Sequence, residues 1–363
     1  MHMADALLSP AVGGTMWAVS ATIIAYCSKK IRTEMDDQKI PLMGVLGAFI
    51  FTAQMINFTI PVTGSSGHLG GGLILAILLG PSAAFLTIAS VLVVQAFFFA
   101  DGGLLALGCN IFNLGFLPAF IAYPLVYKKI AGNEQSPTRI PVASISAAII
   151  ALQMGSFAVV METVSSGISS LPFSAFTLIM QPIHLAIGAV EGVVTAAVIS
   201  FLQRAKPEIM SNATAPPPHN TPAMRTTIVG FLAITLLMGG AVSRLASDLP
   251  DGLEWSIAKV DDQKEPHDPK PAIHGSLASL QQKLSFLPDY SFRKPSDVKP
   301  AEGAAILSTN QTQPKEPEQR DNKLGTSVSG IAGGGLTLGL LFIFGFMLKQ
   351  RKRTISNNTG TDG

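Results

Sequence analysis

The chain has 363 residues, of which 48% are hydrophobic and only 13% charged, and its mean hydropathy is +0.42. Soluble domains carry about 25% charged residues, so the composition excludes an ordinary soluble protein and points to one embedded in lipid. The net charge of +2 says little by itself, and the two cysteines, Cys27 and Cys109, are too few for a disulfide framework and form no CxxC pair of a zinc or redox site.

The first ten residues, MHMADALLSP, hold no Lys or Arg, which argues against a signal peptide. The first predicted span runs from Ala11 to Ser28. Lys29, Lys30 and Arg32 follow it, which places that end in the cytoplasm and the N-terminus outside. Further spans are expected over residues 41–60, 70–80, 82–99, 105–127, 141–162 and 174–203. The run 70–80 ends at Gly80-Pro81. It is shorter than the roughly 20 apolar residues a lipid crossing needs and is expected to pack against protein.

Beyond residue 203 the composition changes. Residues 206–225 contain Pro-Pro-Pro among small polar residues and read as a cytoplasmic linker. Two more spans, 226–243 and the Gly-rich 327–348, flank a polar, Pro-rich loop over 246–325, which is expected to be loosely structured. The expected fold is an all-α integral membrane protein with a seven-span bundle over residues 1–205, the linker, a two-span accessory module over 226–348 and a cytoplasmic tail over 349–363. Lys and Arg are absent from the short loops predicted outside, 61–69, 100–104 and 163–173, in keeping with the positive-inside rule.

Ionisable residues within the spans are few: Glu162 at a span end, and His184 and Glu191 on one helix face. This set is thin for a proton-coupled carrier, and there is no GxxxxGK[ST] phosphate loop, so active transport needs another subunit for energy. His184 and Glu191 read as a buried pair or as contacts to another helix, and Gln54 and Gln153 as interhelical hydrogen bonds. The small-residue pairs Ala21/Ala25 and Gly192/Ala196 suit close helix packing.

The outer side carries a second signal. The α-amine of Met1 and the amide nitrogen of His2 close a five-membered ring on a metal, and that amide with His2 Nδ1 closes a six-membered one. Ni²⁺ and Cu²⁺ displace the amide proton near neutral pH because in-plane nitrogen donors suit their square-planar preference. Met1 is expected to be retained, since His2 is not small. His68 stands in the short, uncharged stretch QMINFTIPVTGSSGHLGGG and can fill the fourth in-plane position. Separately, Met-His at the start fits a chance placement and His68 a hydrogen-bonded loop residue; together, on one side of a charge-poor bundle, they define the candidate site. Asn57, Ser65, Ser66, Asn110 and Asn113 are candidates to orient the ligating imidazoles, with interhelical hydrogen bonding the competing role for each Asn.

MHMADALLSP, QMINFTIPVTGSSGHLGGG and GCNIFNLG resemble the substrate-binding subunit of nickel and cobalt energy-coupling-factor transporters over residues 1–205. SDLPDGLEW, residues 247–255, resembles the PDGLE signature of the small accessory subunit of the same transporters. The resemblance implies a fused form of the two, a non-enzymatic subunit in the inner (plasma) membrane of a prokaryote, N-terminus outside and C-terminus in the cytoplasm. It implies Ni²⁺ or Co²⁺ as transported substrate, held by Met1, His2 and His68. The implied partners are a membrane coupling subunit, a pair of cytoplasmic ATPases and the bilayer, with no nucleic acid. Two functions compete: a secondary carrier or channel working alone, and a metal-binding membrane sensor. Square-planar nitrogen favours Ni²⁺, and Cu²⁺ binds such a set at least as tightly, so supply or geometry selects the ion.

Overall fold

Most helices in this chain are apolar on every side, as happens when lipid and neighbouring helices surround them rather than water. The computed structural model describes residues 2–33, 39–132, 136–169, 171–205, 222–261, 272–292 and 319–359. Met1, most of the linker, His219, His267 and the end of the tail lie outside the described residues.

The helices in chain order are α1 (Pro10–Thr33), α2 (Lys39–Gln54), α3 (Gly72–Leu79), α4 (Pro81–Phe98), α5 (Leu107–Ala131), α6 (Ile140–Ser166) and α7 (Phe173–Ala205). They are followed by α8 (Pro222–Gly240), α9 (Gly252–Asp261), α10 (Ala272–Leu284) and α11 (Gln319–Thr359). Among the described residues six helices are long and apolar enough to cross a membrane, and residues 39–54 and 225–240 form shorter apolar helices. The chain is thus a helical, multi-pass membrane protein.

α3 has eight residues, every one buried, so protein rather than lipid surrounds it, as its length requires. α2 is buried without a break from Leu42 to Gln54. It packs against α4, α8 and α11. α6 and α7 pack along each other, with Gly192 of α7 against Ile145. Ala21 and Ala25 of α1 are exposed, so that pair does not serve internal packing. α5 widens into a π-helical stretch over Phe112–Tyr127, which contains Pro118 and Pro124; both lack the N–H a regular helix would use.

Two sequence expectations are corrected. The second span does not reach residue 60. The helix stops at Gln54, and the strand β1 (Phe58–Ile60) pairs antiparallel with β2 (Ser65–Gly67), Thr59 opposite Ser66. Pro61 disfavours helix at the residue before it, and Thr59 and Ile60 are β-branched strand formers. Nor is the loop over 246–325 structureless, because α9 and α10 lie within it. Asp251 starts α9 by accepting hydrogen bonds at Oδ1 from the Leu253 and Glu254 amides, 2.8 and 2.9 Å. α10 is held to the main bundle through Gln281, whose Nε2 donates to the carbonyls of Ala96 and Gly102 at 2.9 and 2.7 Å.

The last helix docks on the main bundle through its glycines, and a β-carbon on Gly333 would overlap the Phe51 ring. Gly333→Leu is expected to lower the stability of the full chain by about 1–3 kcal/mol through overpacking, read as a lower thermal unfolding temperature in detergent.

Candidate metal centre

The N-terminal segment enters the bundle. The Met3 amide donates to Asn110 Oδ1 at 2.8 Å, and Asn110 Nδ2 donates back to the Met3 carbonyl at 3.3 Å. The Gly103 amide also donates to the Met3 carbonyl, at 2.9 Å. Two residues on, Asp5 Oδ1 accepts from the Leu105 and Ala106 amides at 2.8 and 3.0 Å. Met3 is fully buried. These bonds tie a segment that would otherwise fray to the start of α5 and the turn before it.

His68 is placed from the other side by the β1–β2 hairpin and by two side chains beneath its loop. Gln54 Nε2 donates to the Gly70 carbonyl at 2.8 Å. Glu191, buried on α7, accepts from the Gly70 amide at 2.8 Å and the Gly71 amide at 3.0 Å. His68 Nδ1 lies 3.1 Å from the Leu69 carbonyl. A carbonyl can only accept, so Nδ1 carries the proton and Nε2 presents a lone pair. Burial pushes the His68 imidazole down to about 3, so the ring is neutral at neutral pH.

The two segments bring the imidazoles of His2 and His68 together. Their centroids are 4.9 Å apart and their planes differ by 4°. Each faces a carboxylate: His2 Nδ1 is 3.1 Å from Asp101 Oδ1, and His68 Nε2 is 3.9 Å from Asp251 Oδ2. Burial works against the charge on Asp101, but His2 and the Tyr290 hydroxyl, which donates to its other oxygen, hold the carboxyl below the usual range. His2 Nε2 is buried, with no hydrogen-bond partner among the described residues.

Asp251 and Tyr290 come from the region between α8 and α11. Asp251 belongs to the PDGLE stretch, which lies against β2. The Ser66 amide donates to the Pro250 carbonyl at 2.8 Å, and Ser66 Oγ donates to the Leu249 carbonyl at 2.7 Å. Gly252 packs against Ile183 and His184 where a β-carbon would collide, and Leu253 is buried. Tyr290 stacks on Phe99, centroids 5.2 Å apart, with Phe51 and Phe286 completing the aromatic cluster. His274 of α10 is buried, with Nε2 donating to the Leu8 carbonyl at 2.9 Å.

The residues singled out from sequence fall as follows. His2 and His68 are brought together, while Met1 lies outside the described residues. Asn110 clamps Met3, and Ser66 holds the PDGLE stretch. Ser65 Oγ is within 3.1 Å of Thr63 Oγ1 inside the hairpin turn. Asn113 Nδ2 donates to Glu162 Oε2 at 2.8 Å, an interhelical bond between α5 and α6. Asn57 accepts from the Ser247 amide through its backbone carbonyl at 2.8 Å. His184 and Glu191 are not a pair: His184 Nδ1 donates to the Met180 carbonyl at 2.8 Å, and Glu191 grips the His68 loop. Sequence reasoning missed Asp101 and Asp251. Asp101 is the one charge in a short loop predicted outside, and that isolation was the available signal.

Residues 2–209 match the CbiM family, the cobalt uptake substrate-specific transmembrane region, and residues 225–350 match the PDGLE domain. The chain belongs to the CbiM family. It is a substrate-binding subunit of the nickel/cobalt energy-coupling-factor type with a PDGLE module fused behind it. A Haloquadratum walsbyi protein with a metal-transport name is 34% identical over 218 residues, 58% of this chain and 93% of its own. The fused nickel transport protein NikMN of Rhodobacter capsulatus is 30% identical over 228 residues, 60% of this chain and 65% of its own. A crystal structure of a truncated transition metal transporter aligns with a TM-score of 0.50 at 28% identity, covering 56% of this chain and 99% of that one.

Removing the carboxylate beneath the His68 loop leaves two buried amides without an acceptor. Glu191→Ala is expected to cost about 1–3 kcal/mol for each amide left unpaired, and Glu191→Gln, which keeps one acceptor, less. Thermal unfolding of the two variants in detergent checks the order.

Proposed function

We infer that this chain captures Ni²⁺ or Co²⁺ at the outer face of the membrane and delivers it inward as the substrate-binding subunit of an ATP-driven importer. The ion sits in a flat four-nitrogen site made by the Met1 amine, the His2 amide, His2 Nδ1 and His68 Nε2. The observation that carries this reading is the meeting of His2 and His68 in a buried place, 66 positions apart in the chain, with near-parallel rings 4.9 Å between centroids. Metal–nitrogen bonds of about 2 Å put the centroids of two adjacent in-plane imidazoles about 4–5 Å apart, so the spacing suits neighbouring ligands. The proton on His68 Nδ1 leaves Nε2 as the donor atom. Among the described residues no three His, Cys, Asp or Glu side chains converge to hold an ion; in this reading the terminal amine and a backbone amide complete the set. His2 Nδ1 exchanges Asp101 for the ion when the site loads; Nε2, farther from the amide, does not close the six-membered chelate ring.

The transport machinery follows from the same reading. The chain has seven spans, α1 to α7, over residues 1–205, and two, α8 and α11, in an accessory module over 226–348, joined by the linker 206–225. The N-terminus is outside and the C-terminal tail, 349–363, is cytoplasmic, in line with the Lys and Arg placement. A membrane coupling subunit and a cytoplasmic ATPase pair supply the energy, which this chain has no phosphate loop to supply. Square-planar nitrogen favours Ni²⁺ over Co²⁺.

Calorimetric Ni²⁺ titration of the purified full chain tests the ligand set. His2→Ala, His68→Ala and a variant with one extra residue before Met1 are each expected to lose tight binding. The insertion removes no side chain but carries the primary amine out of chelating range, and wild-type affinity in that variant would sink the terminal-amine ligand. A diamagnetic, yellow Ni²⁺ complex is the expected mark of the square plane.

A further inference from the structure

The carboxylate of Asp251 sits where the metal reading has no role for it. It comes from the PDGLE stretch of the accessory module, more than 180 positions from His68 in the chain, and its Oδ2 lies 3.9 Å from His68 Nε2, the ring nitrogen with the lone pair. Its other oxygen is committed, since Oδ1 accepts the Leu253 and Glu254 amides at the start of α9. That cap fixes the side chain and aims Oδ2 at the imidazole.

The backbone around it is fixed just as firmly. Ser66 donates from its amide to the Pro250 carbonyl and from Oγ to the Leu249 carbonyl, and it forms a parallel bridge with Asp251. Gly252 lets the chain lie against Ile183 and His184 of α7, and Leu253 anchors the turn in the core. Each of Pro250, Asp251, Gly252 and Leu253 therefore has a part in holding one carboxylate beside His68, while Glu254 faces outward. A small cavity lined by His68, His184, Gly70, Asp251 and Gly252 lies at this junction.

Resting on the metal-site reading above, we propose that Asp251 is the charge partner of the bound divalent ion, so that the accessory module completes the binding site and sets its affinity. An ion taken out of water into this buried place is costly unless opposite charge is fixed nearby. The ligands themselves supply at most the charge of one deprotonated amide. Asp101 faces His2 and accepts from Tyr290, and Asp251 places Oδ2 3.9 Å from the ligating nitrogen of His68. Asp251 is a positioning and charge-balancing residue, outside the four in-plane nitrogens.

The test uses the full chain with Asp251→Asn and Asp251→Ser. Asn and Ser both cap helices well, so α9 keeps its start while the charge is lost. Both variants are expected to bind Ni²⁺ about 10- to 100-fold more weakly, the usual effect of losing a partner just outside the ligands. Thermal unfolding and the position of the Ni²⁺ d–d band are expected to be unchanged. Wild-type affinity in both variants overturns the proposal, and a shifted band overturns it in favour of direct ligation by Asp251. His68→Ala, measured alongside, separates the two readings. If it binds Ni²⁺ as the wild type does, the ligand set itself is wrong. If it loses binding while the Asp251 variants keep it, the ligand set stands and the role of Asp251 falls.

Discussion

Asn110 holds the backbone of Met3 at both its amide and its carbonyl, and much of the site depends on that grip. A chain end loses its conformational freedom only when enough bonds offset the entropy, and each residue fixed in this way costs about 1–2 kcal/mol of backbone freedom. Asn110, Gly103 and the Asp5 carboxylate supply those bonds within a few residues. His2, one position earlier, faces Asp101 at 3.1 Å and lies with its imidazole nearly parallel to that of His68.

The opposite wall is built with the same economy. The loop after β2 is glycine-rich and could take many shapes, yet Gln54 and Glu191 hold its carbonyl and amides from below. Glu191 is buried on α7 with two backbone amides aimed at its side chain. The loop conformation, the tautomer of His68 and the direction of its Nε2 all follow from these bonds and from the Leu69 carbonyl. Both walls are then closed from outside by residues of the accessory region, through Ser66 and the PDGLE backbone on one side and the Phe99–Tyr290 stack on the other. The accessory part is a wall of the chamber and not a tether beside it.

Length and apolarity were enough to locate nearly every helix, because lipid imposes one requirement on any crossing segment: about 20 residues with their backbone bonds satisfied internally. The short α3 was legible for the same reason, as a helix too brief for lipid. Residues 55–60 misled because apolarity does not distinguish a helix end from a strand; the hairpin needed Pro61 and the pairing of Thr59 with Ser66. The region 246–325 misled in the opposite way. Its polar, Pro-rich composition describes a segment in water, and α9 and α10 gain their apolar contacts only by lying on the main bundle.

The sequence by itself determined the chemistry on offer: a leading Met-His pair, a lone histidine in a glycine-rich loop and a chain otherwise poor in charge. Those features depend on covalent order and composition, which tertiary contacts cannot alter. Only the tertiary structure decided which groups stand around the imidazoles. Asp101, Asp251, Tyr290 and Glu191 come from four separate parts of the chain, and no local spacing relates them to His2 or His68. Their meeting is a product of packing, and packing is set by the whole bundle at once.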